Sequence, residues 1–450
     1  MKMESLTSLD FILIGAYFVV LILIGYFSSR RQKEEDYLIA ERKLGMWSTM
    51  ATMNASKSGS IFMIFTALVF VWGFSAIWYF IGVVFGTLLF IPFALRLKEK
   101  SNEKYYTLAH YFKFNYGKGP SIIASLITIF LMFGFLVLNL IAGSKIFAFF
   151  TGLPFWICAL IMIFIVLIYL LLGGFKAVVK TDILQYVAMV FILVVLAIII
   201  FNGSIIPSSE WGFFSVNLST LIGFFIVGIV FPFASPDLWQ RVYSSKGKKE
   251  LKRGMLLSVL FYAFLALLIA LVALTVKANF PSIDPQLALI HGFANLLPAG
   301  LVGLSVIFLF AAIMSSTDTY LFTAASSIVH DFSDWDKQKT VRNIRKLIFV
   351  IAIVGVFVTI LIQDLIIGAY IFVAVEVVLG LVVIATWIKT GIRKSTLMSA
   401  FIFGLIFFFA YLIFSLFKGE VNPLIAIVTL VGTLIGLFVG ALRSRMRRAE

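Results

Sequence analysis

The chain has 450 residues, of which 62% are hydrophobic and only 13% charged, against about 45–50% and about 25% in soluble domains. A soluble globule has too little interior for that much apolar side chain, and the same balance excludes a disordered chain and a coiled coil. The single Cys158 closes no intrachain disulfide. The net charge of +15 would suit a nucleic-acid partner only if it gathered on one face, and it is spread over short connections between apolar runs.

Taken in chain order, thirteen runs reach the roughly 20 residues that a bilayer crossing needs. They lie near 9–28, 46–72, 75–97, 120–149, 154–173, 177–201, 218–240, 254–276, 298–329, 344–363, 366–388, 395–417 and 422–442. Each is almost continuously apolar, which predicts helices rather than the alternating segments of a membrane barrel. The first run lacks a small-residue cleavage site and is read as a retained helix. Between the runs, 101–119 carries Tyr105, Tyr106, His110, Tyr111, Phe112 and Tyr116 and predicts an interfacial helix; 284–297 predicts a short external one.

Lys and Arg set the orientation. With the N-terminus outside, 31 of the 36 basic residues fall in cytoplasmic connections and the C-terminal tail, and only Lys2, Lys145, Lys277 and Lys418 fall outside. The remaining one, Lys57, sits mid-span in Asn54-Ala55-Ser56-Lys57-Ser58-Gly59-Ser60. Charge at membrane depth marks a functional site by default. Glu376 is the other mid-span charge.

A second interruption, Phe231-Pro232-Phe233-Ala234-Ser235-Pro236, lies five runs further on. Paired interrupted segments in two halves point to a transporter binding site. The chain divides accordingly: 1–45, an extra helix and cytoplasmic loop; 46–201, a first five-helix repeat; 202–388, a second; 389–450, two C-terminal helices and a basic tail. The fold expected is an all-α polytopic membrane protein with thirteen spans, a five-plus-five inverted-repeat core and two broken helices. Convergence of both breaks with Glu376 predicts solute contacts from Asn54, Ser56, Ser235 and Glu376.

Three stretches carry a resemblance. Gly173-Gly174-Phe175-Lys176-Ala177-Val178, leading to Thr181-Asp182-Ile183-Leu184-Gln185, resembles a signature of the sodium:solute symporter family. Ala311-Ala312-Ile313-Met314-Ser315-Ser316-Thr317-Asp318 resembles that family's sodium-site helix, and Gln240-Arg241 its "QR" motif. The approach from Tyr37-Leu38 to Leu44-Gly45 resembles its entry to the first core helix. The resemblance implies alternating access, with sodium cotransported alongside amino acids, carboxylates, sugars, vitamins or nucleobases. It also implies an oxygen cage for sodium made by carbonyls of Ala55, Ser58 and Ala312 and hydroxyls of Ser315 and Ser316.

Lys57 departs from the family, whose proline symporters carry an acidic residue there. An ammonium next to the cage opposes the ion, so transport is expected to be sodium-independent or proton-coupled; the alternative is the family's sodium coupling. Asp182, Asp318 and Thr319 form a second ion site or charge-pair site, with Asp182 or Asp318 the expected counter-ion of Lys57. Apolar residues where sugar-transporting relatives are polar, Ile81 and Val84, favour an amino acid or carboxylate over a sugar. His110, His291 and His330 are too scattered for a metal site, and no P-loop, HExxH or GxSxG occurs. The chain is therefore expected to be a secondary transporter in the cell membrane, not an enzyme, with no cofactor beyond a coupling sodium or proton and with a small solute and lipid as partners. A solute sensor on the same fold is the distant alternative.

Overall fold

The computed structural model describes residues 7–30, 34–101, 105–201, 206–298, 300–333, 337–389 and 391–449. No strand occurs among them; one isolated parallel bridge joins Leu44 to Ser245. Lipid supplies no hydrogen bonds, so each crossing segment must satisfy its own backbone, and helices do so. In chain order the helices are α1 Ser8–Ser29, α2 Glu34–Ile39, α3 Met46–Ser58, α4 Ile61–Trp72, α5 Trp78–Ser101, α6 Leu108–Tyr116, α7 Lys118–Thr151, α8 Phe155–Phe201 and α9 Leu218–Ala234. They continue with α10 Pro236–Ser244, α11 Lys248–Asn279, α12 Ala288–Leu296, α13 Val302–Phe332, α14 Lys337–Ile362, α15 Leu365–Ile388, α16 Lys394–Lys418 and α17 Leu424–Ala449. Short helices do form within 101–119 and 284–297, as α6 and α12.

Among the described residues, ten helical stretches are long and apolar enough to cross a membrane, eleven if the bent pair α9–α10 counts as one span. The count differs from the thirteen runs of the sequence because helices continue through two expected gaps. The runs 154–173 and 177–201 are two arms of α8, which turns at Gly174 with φ 53°. That left-handed backbone favours glycine, and a Cβ there would also collide with the Tyr37 ring. Likewise 61–101 is one helical stretch across the expected gap after Trp72. In the opposite sense, the run 46–72 is split between α3 and α4.

Local chemistry explains several helix starts. Thr7 and Asp10 form a capping box on α1, the Asp10 carboxylate accepting the Thr7 N–H at 2.8 Å. The other Asp10 oxygen accepts the Gly303 N–H at 3.2 Å and ties α1 to the start of α13. Asn217 and Asp364 cap α9 and α15 one-way, their side chains accepting the Thr220 and Ile367 N–H groups. The most buried span is α13, which packs on α3, α7 and α8. The Phe-rich α16 pairs with α17 at the edge and faces outward along much of its length. Hydroxyl-rich helices therefore fill the centre and greasy ones the rim.

Candidate functional site

Helix α3 stops at Ser58, where Gly59 takes φ −31° and ψ −129°. The next two amides leave the helix. Gly59 N–H donates to Ser316 Oγ at 2.9 Å and Ser60 N–H to Asn139 Oδ1 at 2.7 Å. A Cβ on Gly59 would lie 2.6 Å from that Asn139 oxygen and 2.8 Å from Ser316 Oγ, so the close approach needs glycine. Three carbonyls lose their helical partners, and hydroxyls from neighbouring helices take them up. Ser315 and Ser316 donate to Ala55 O at 3.1 Å each, Tyr320 to Ser56 O at 2.9 Å, and Tyr262 to Lys57 O at 3.2 Å. A bare carbonyl in an apolar interior costs about 1–3 kcal/mol, so these hydroxyls make the break tolerable.

The same hydroxyls reach Ala312 O, at 2.9 Å from Ser315 and 3.3 Å from Ser316. Four of the five oxygens expected for the cage thus meet between α3 and α13. Ser58 ends α3 beside them, its own hydroxyl turned back to Asn54 O at 2.7 Å. The donor set is neutral and made wholly of oxygen, which fits a hard monovalent cation. Rotating two serine hydroxyls would turn lone pairs inward without moving the backbone.

Lys57 is 4% exposed. Its Nζ donates to Ser258 Oγ at 3.1 Å and lies 4.4 Å from the Tyr262 ring centroid. Both partners are on α11, so the ammonium faces that helix rather than the cage. The pairing expected with Asp182 or Asp318 is not formed. Thr52, whose hydroxyl donates to Asp182, lies five residues before Lys57 on α3, roughly 140° round the helix. The carboxylate and the ammonium are on different faces.

The partner of Asp182 is Arg241, at 3.0 Å and with both side chains fully buried. The guanidinium makes four further bonds: to Thr52 O at 3.1 Å, Thr52 Oγ1 at 3.0 Å, Asp237 O at 3.1 Å and Thr319 Oγ1 at 2.8 Å. One cation thus binds α3, α8, α10 and α13 together. Asp318 stands apart from it, accepting from Tyr169 at 2.9 Å and from Thr181 at 3.5 Å. Asp182 and Thr319 thus meet at Arg241, an arginine that the sequence shows only as part of a short motif, and Asp318 is not brought to it.

The second break falls at Ser235, between Pro232 inside α9 and Pro236 at the first position of α10. Proline at that position is preorganised to start a helix. Ser235 Oγ donates to Phe231 O at 2.9 Å and to Glu376 Oε1 at 3.2 Å. Glu376 and Lys57 line one cavity, together with Ser60, Tyr79, Phe135 and Tyr320. Ser235 stands behind Glu376. Asn54 and Ser56 are not on the wall. The Asn54 amide donates to Tyr186 OH at 2.9 Å and to Ser258 O at 3.2 Å, and its oxygen accepts from Ser258. The Ser56 hydroxyl returns to Met53 O at 3.3 Å. The Asn54 side chain thus ties α3 to α8 and α11 under the site. Ser258, Tyr262, Tyr79 and Tyr320 escaped the sequence reading, since single polar residues on apolar helices carry no spacing signal.

The family model for the sodium:solute symporter family matches residues 37–205 and 208–387. The chain belongs to the sodium:solute symporter family. Its members are transporters rather than enzymes, and this symporter is a multi-pass membrane protein. A sodium/proline symporter of Staphylococcus aureus strain Newman is 27% identical over 350 residues, covering 72% of this chain and 68% of that one. The structure of a Na+-coupled sialic acid symporter superposes with a TM-score of 0.80 at 18% identity, covering 97% and 98% of the two chains. A nucleobase-cation-symport-1 family transporter gives 0.63 at 13% identity, covering 91% and 94%. At these identities the two structures share the fold with this symporter.

Proposed function

We propose that the protein is a sodium-coupled symporter that carries a small amino acid or carboxylate, rather than a sugar, across the cytoplasmic membrane. The observation that carries this reading is the cage: the Ser315 and Ser316 hydroxyls sit within 3.3 Å of the Ala55 and Ala312 carbonyls, with Lys57 turned aside to α11. The sodium/proline symporters among its relatives support both the ion and the amino-acid class. The repeat boundaries 46–201 and 202–388 fit two breaks that correspond in the two halves.

The basic connections support an N-terminus outside and a C-terminus in the cytoplasm. In that orientation the cavity residues of α4, α5, α9, α15 and α17 belong to the outer halves of their helices, while the Arg241 cluster closes the inner side. The protein would then be facing outward, and alternating access would require that inner cluster to part.

The second reading makes Lys57 a substitute for sodium, because the lysine is buried one residue from Ser58 at the edge of the cage. Uptake into proteoliposomes separates the two. Sodium symport gives a saturable sodium requirement that is lost in choline buffer. Equal uptake in choline, driven by a pH gradient, would establish the other reading.

A further inference from the structure

The basic connections differ in how their charge is balanced. Arg42 pairs with Glu35, Lys176 with Asp36 and Lys248 with Glu99, and Glu250 stands among the lysines at the start of α11. A further basic group has no carboxylate of its own. Lys118 opens α7, Arg393 and Lys394 stand at the start of α16, and Arg443 is near the end of α17. No ion pair reaches any of these four among the described residues, and the adjoining sequence supplies no acid for one. Residues 105–130 hold no Asp or Glu, and 391–449 hold only Glu420, beyond the far end of α16.

The four cations converge. A Cβ on Gly119 would lie 3.0 Å from Cε and 3.5 Å from Nζ of Lys394, so that lysine lies across the first turn of α7, next to Lys118. Arg393 Nη1 donates to Ser444 O at 2.7 Å and so reaches the turn that carries Arg443. Lys118, Lys394 and Arg443 are exposed. Lys118 and Lys394 also occupy first turns, where the helix dipole repels a cation. Like charges gathered in this way attract an anion from outside the chain. The surface below them is apolar. Four-residue steps from Lys118 along α7 reach Leu126 and Phe130, and the same steps from Lys394 along α16 reach Ile402 and Ile406. All four side chains are exposed. The two columns begin side by side where Lys394 crosses Gly119 and run on into the spans. An anionic head above two apolar columns is the shape of a phospholipid.

We propose that Lys118, Arg393, Lys394 and Arg443 hold the phosphate of an anionic phospholipid, whose acyl chains lie along Leu126 and Phe130 of α7 and Ile402 and Ile406 of α16. In the orientation proposed above, this lipid belongs to the cytoplasmic leaflet. It fastens the peripheral α16–α17 pair to α7, which α16 otherwise touches only lightly. A choline headgroup would bring its own cation into a group of four cations, so the site selects a headgroup with net negative charge. Free phosphate would meet the cations and leave both apolar columns uncovered.

The test is thermal unfolding of the full chain in detergent, titrated with short-chain phosphatidylglycerol, short-chain phosphatidylcholine or glycerol 3-phosphate. A ligand that binds the folded state raises the midpoint by mass action. We expect phosphatidylglycerol to stabilise at concentrations at least about tenfold below the other two. Each cation near the membrane surface is worth about fivefold in affinity for an anionic lipid. Lys118→Gln with Lys394→Gln should therefore raise the half-effect concentration about 25-fold, and Lys118→Arg with Lys394→Arg should keep it at the wild-type value. Lys249→Gln with Lys252→Gln removes two exposed charges from α11 and should leave the response unchanged. Equal responses to phosphatidylglycerol and phosphatidylcholine overturn the proposal. A loss in the α11 pair as large as in the α7–α16 pair also overturns it, because the attraction is then spread over the whole basic face. A glycerol 3-phosphate response that matches phosphatidylglycerol overturns it too, since the group then takes an ion without the chains.

Discussion

Arg241→Met removes the guanidinium and keeps most of the side-chain bulk. It deletes five hydrogen bonds spread over α3, α8, α10 and α13. It also strands Asp182, whose Oδ1 already lacks a partner and whose Oδ2 would keep only the Thr52 hydroxyl. Removing one member of a buried pair costs about 3–5 kcal/mol, because the remaining charge stays desolvated. Asp182→Asn alone leaves the Arg241 guanidinium buried without its carboxylate and is destabilising for the same reason, although its amide can still bond Thr52. The double variant should therefore recover much of the loss, with a coupling of about 1–3 kcal/mol. Equilibrium unfolding in mixed micelles, followed by tryptophan fluorescence, reads all four corners of the cycle. If Arg241→Met unfolds within about 0.5 kcal/mol of wild type, the range of an ordinary surface change, then the cluster does not hold the four helices and the reasoning fails.

Ser315→Ala and Ser316→Ala each remove one cage oxygen, and each should raise the sodium concentration for half-maximal uptake by about tenfold, the equivalent of one good ligand; unchanged sodium dependence in both would place the ion elsewhere. Gly59→Ala forces a Cβ to 2.6 Å from Asn139 Oδ1, and should abolish uptake while the protein still reaches the membrane, measured by transport normalised to surface labelling. His110 lies in α6, outside the spans, and burial pushes its imidazole from 6.5 down to about 4. The unfolded chain then binds the proton more readily, so stability is full above about pH 6.5 and falls by about 3 kcal/mol as the pH drops to about 4. His110→Gln should flatten that acid limb of the unfolding midpoint.

The sequence by itself determined the membrane class, the helices and the two breaks. Those follow from local rules: apolar runs of bilayer length, proline and glycine that interrupt a helix, and the need of each lipid-embedded segment to satisfy its own backbone. The serine pair on α13 was legible too, because Ser315 and Ser316 are adjacent and embedded in a recognisable motif. What only tertiary structure decided was direction. Lys57 follows Ser56 and precedes Ser58, and nothing in that order says whether its ammonium faces the cage, Asp182 or α11. The answer depends on Ser258 and Tyr262, some 200 positions later. Arg241 likewise found Asp182 because the break at Ser235 sets α10 at 42° to α9 and aims the guanidinium across the core. Asn54 and Ser56 share a segment with Lys57 but face helices rather than the cavity, since neighbours in a helix point about 100° apart. Charge and breakage are written along the chain, and the partner of each charge is set by how the helices are rotated against one another.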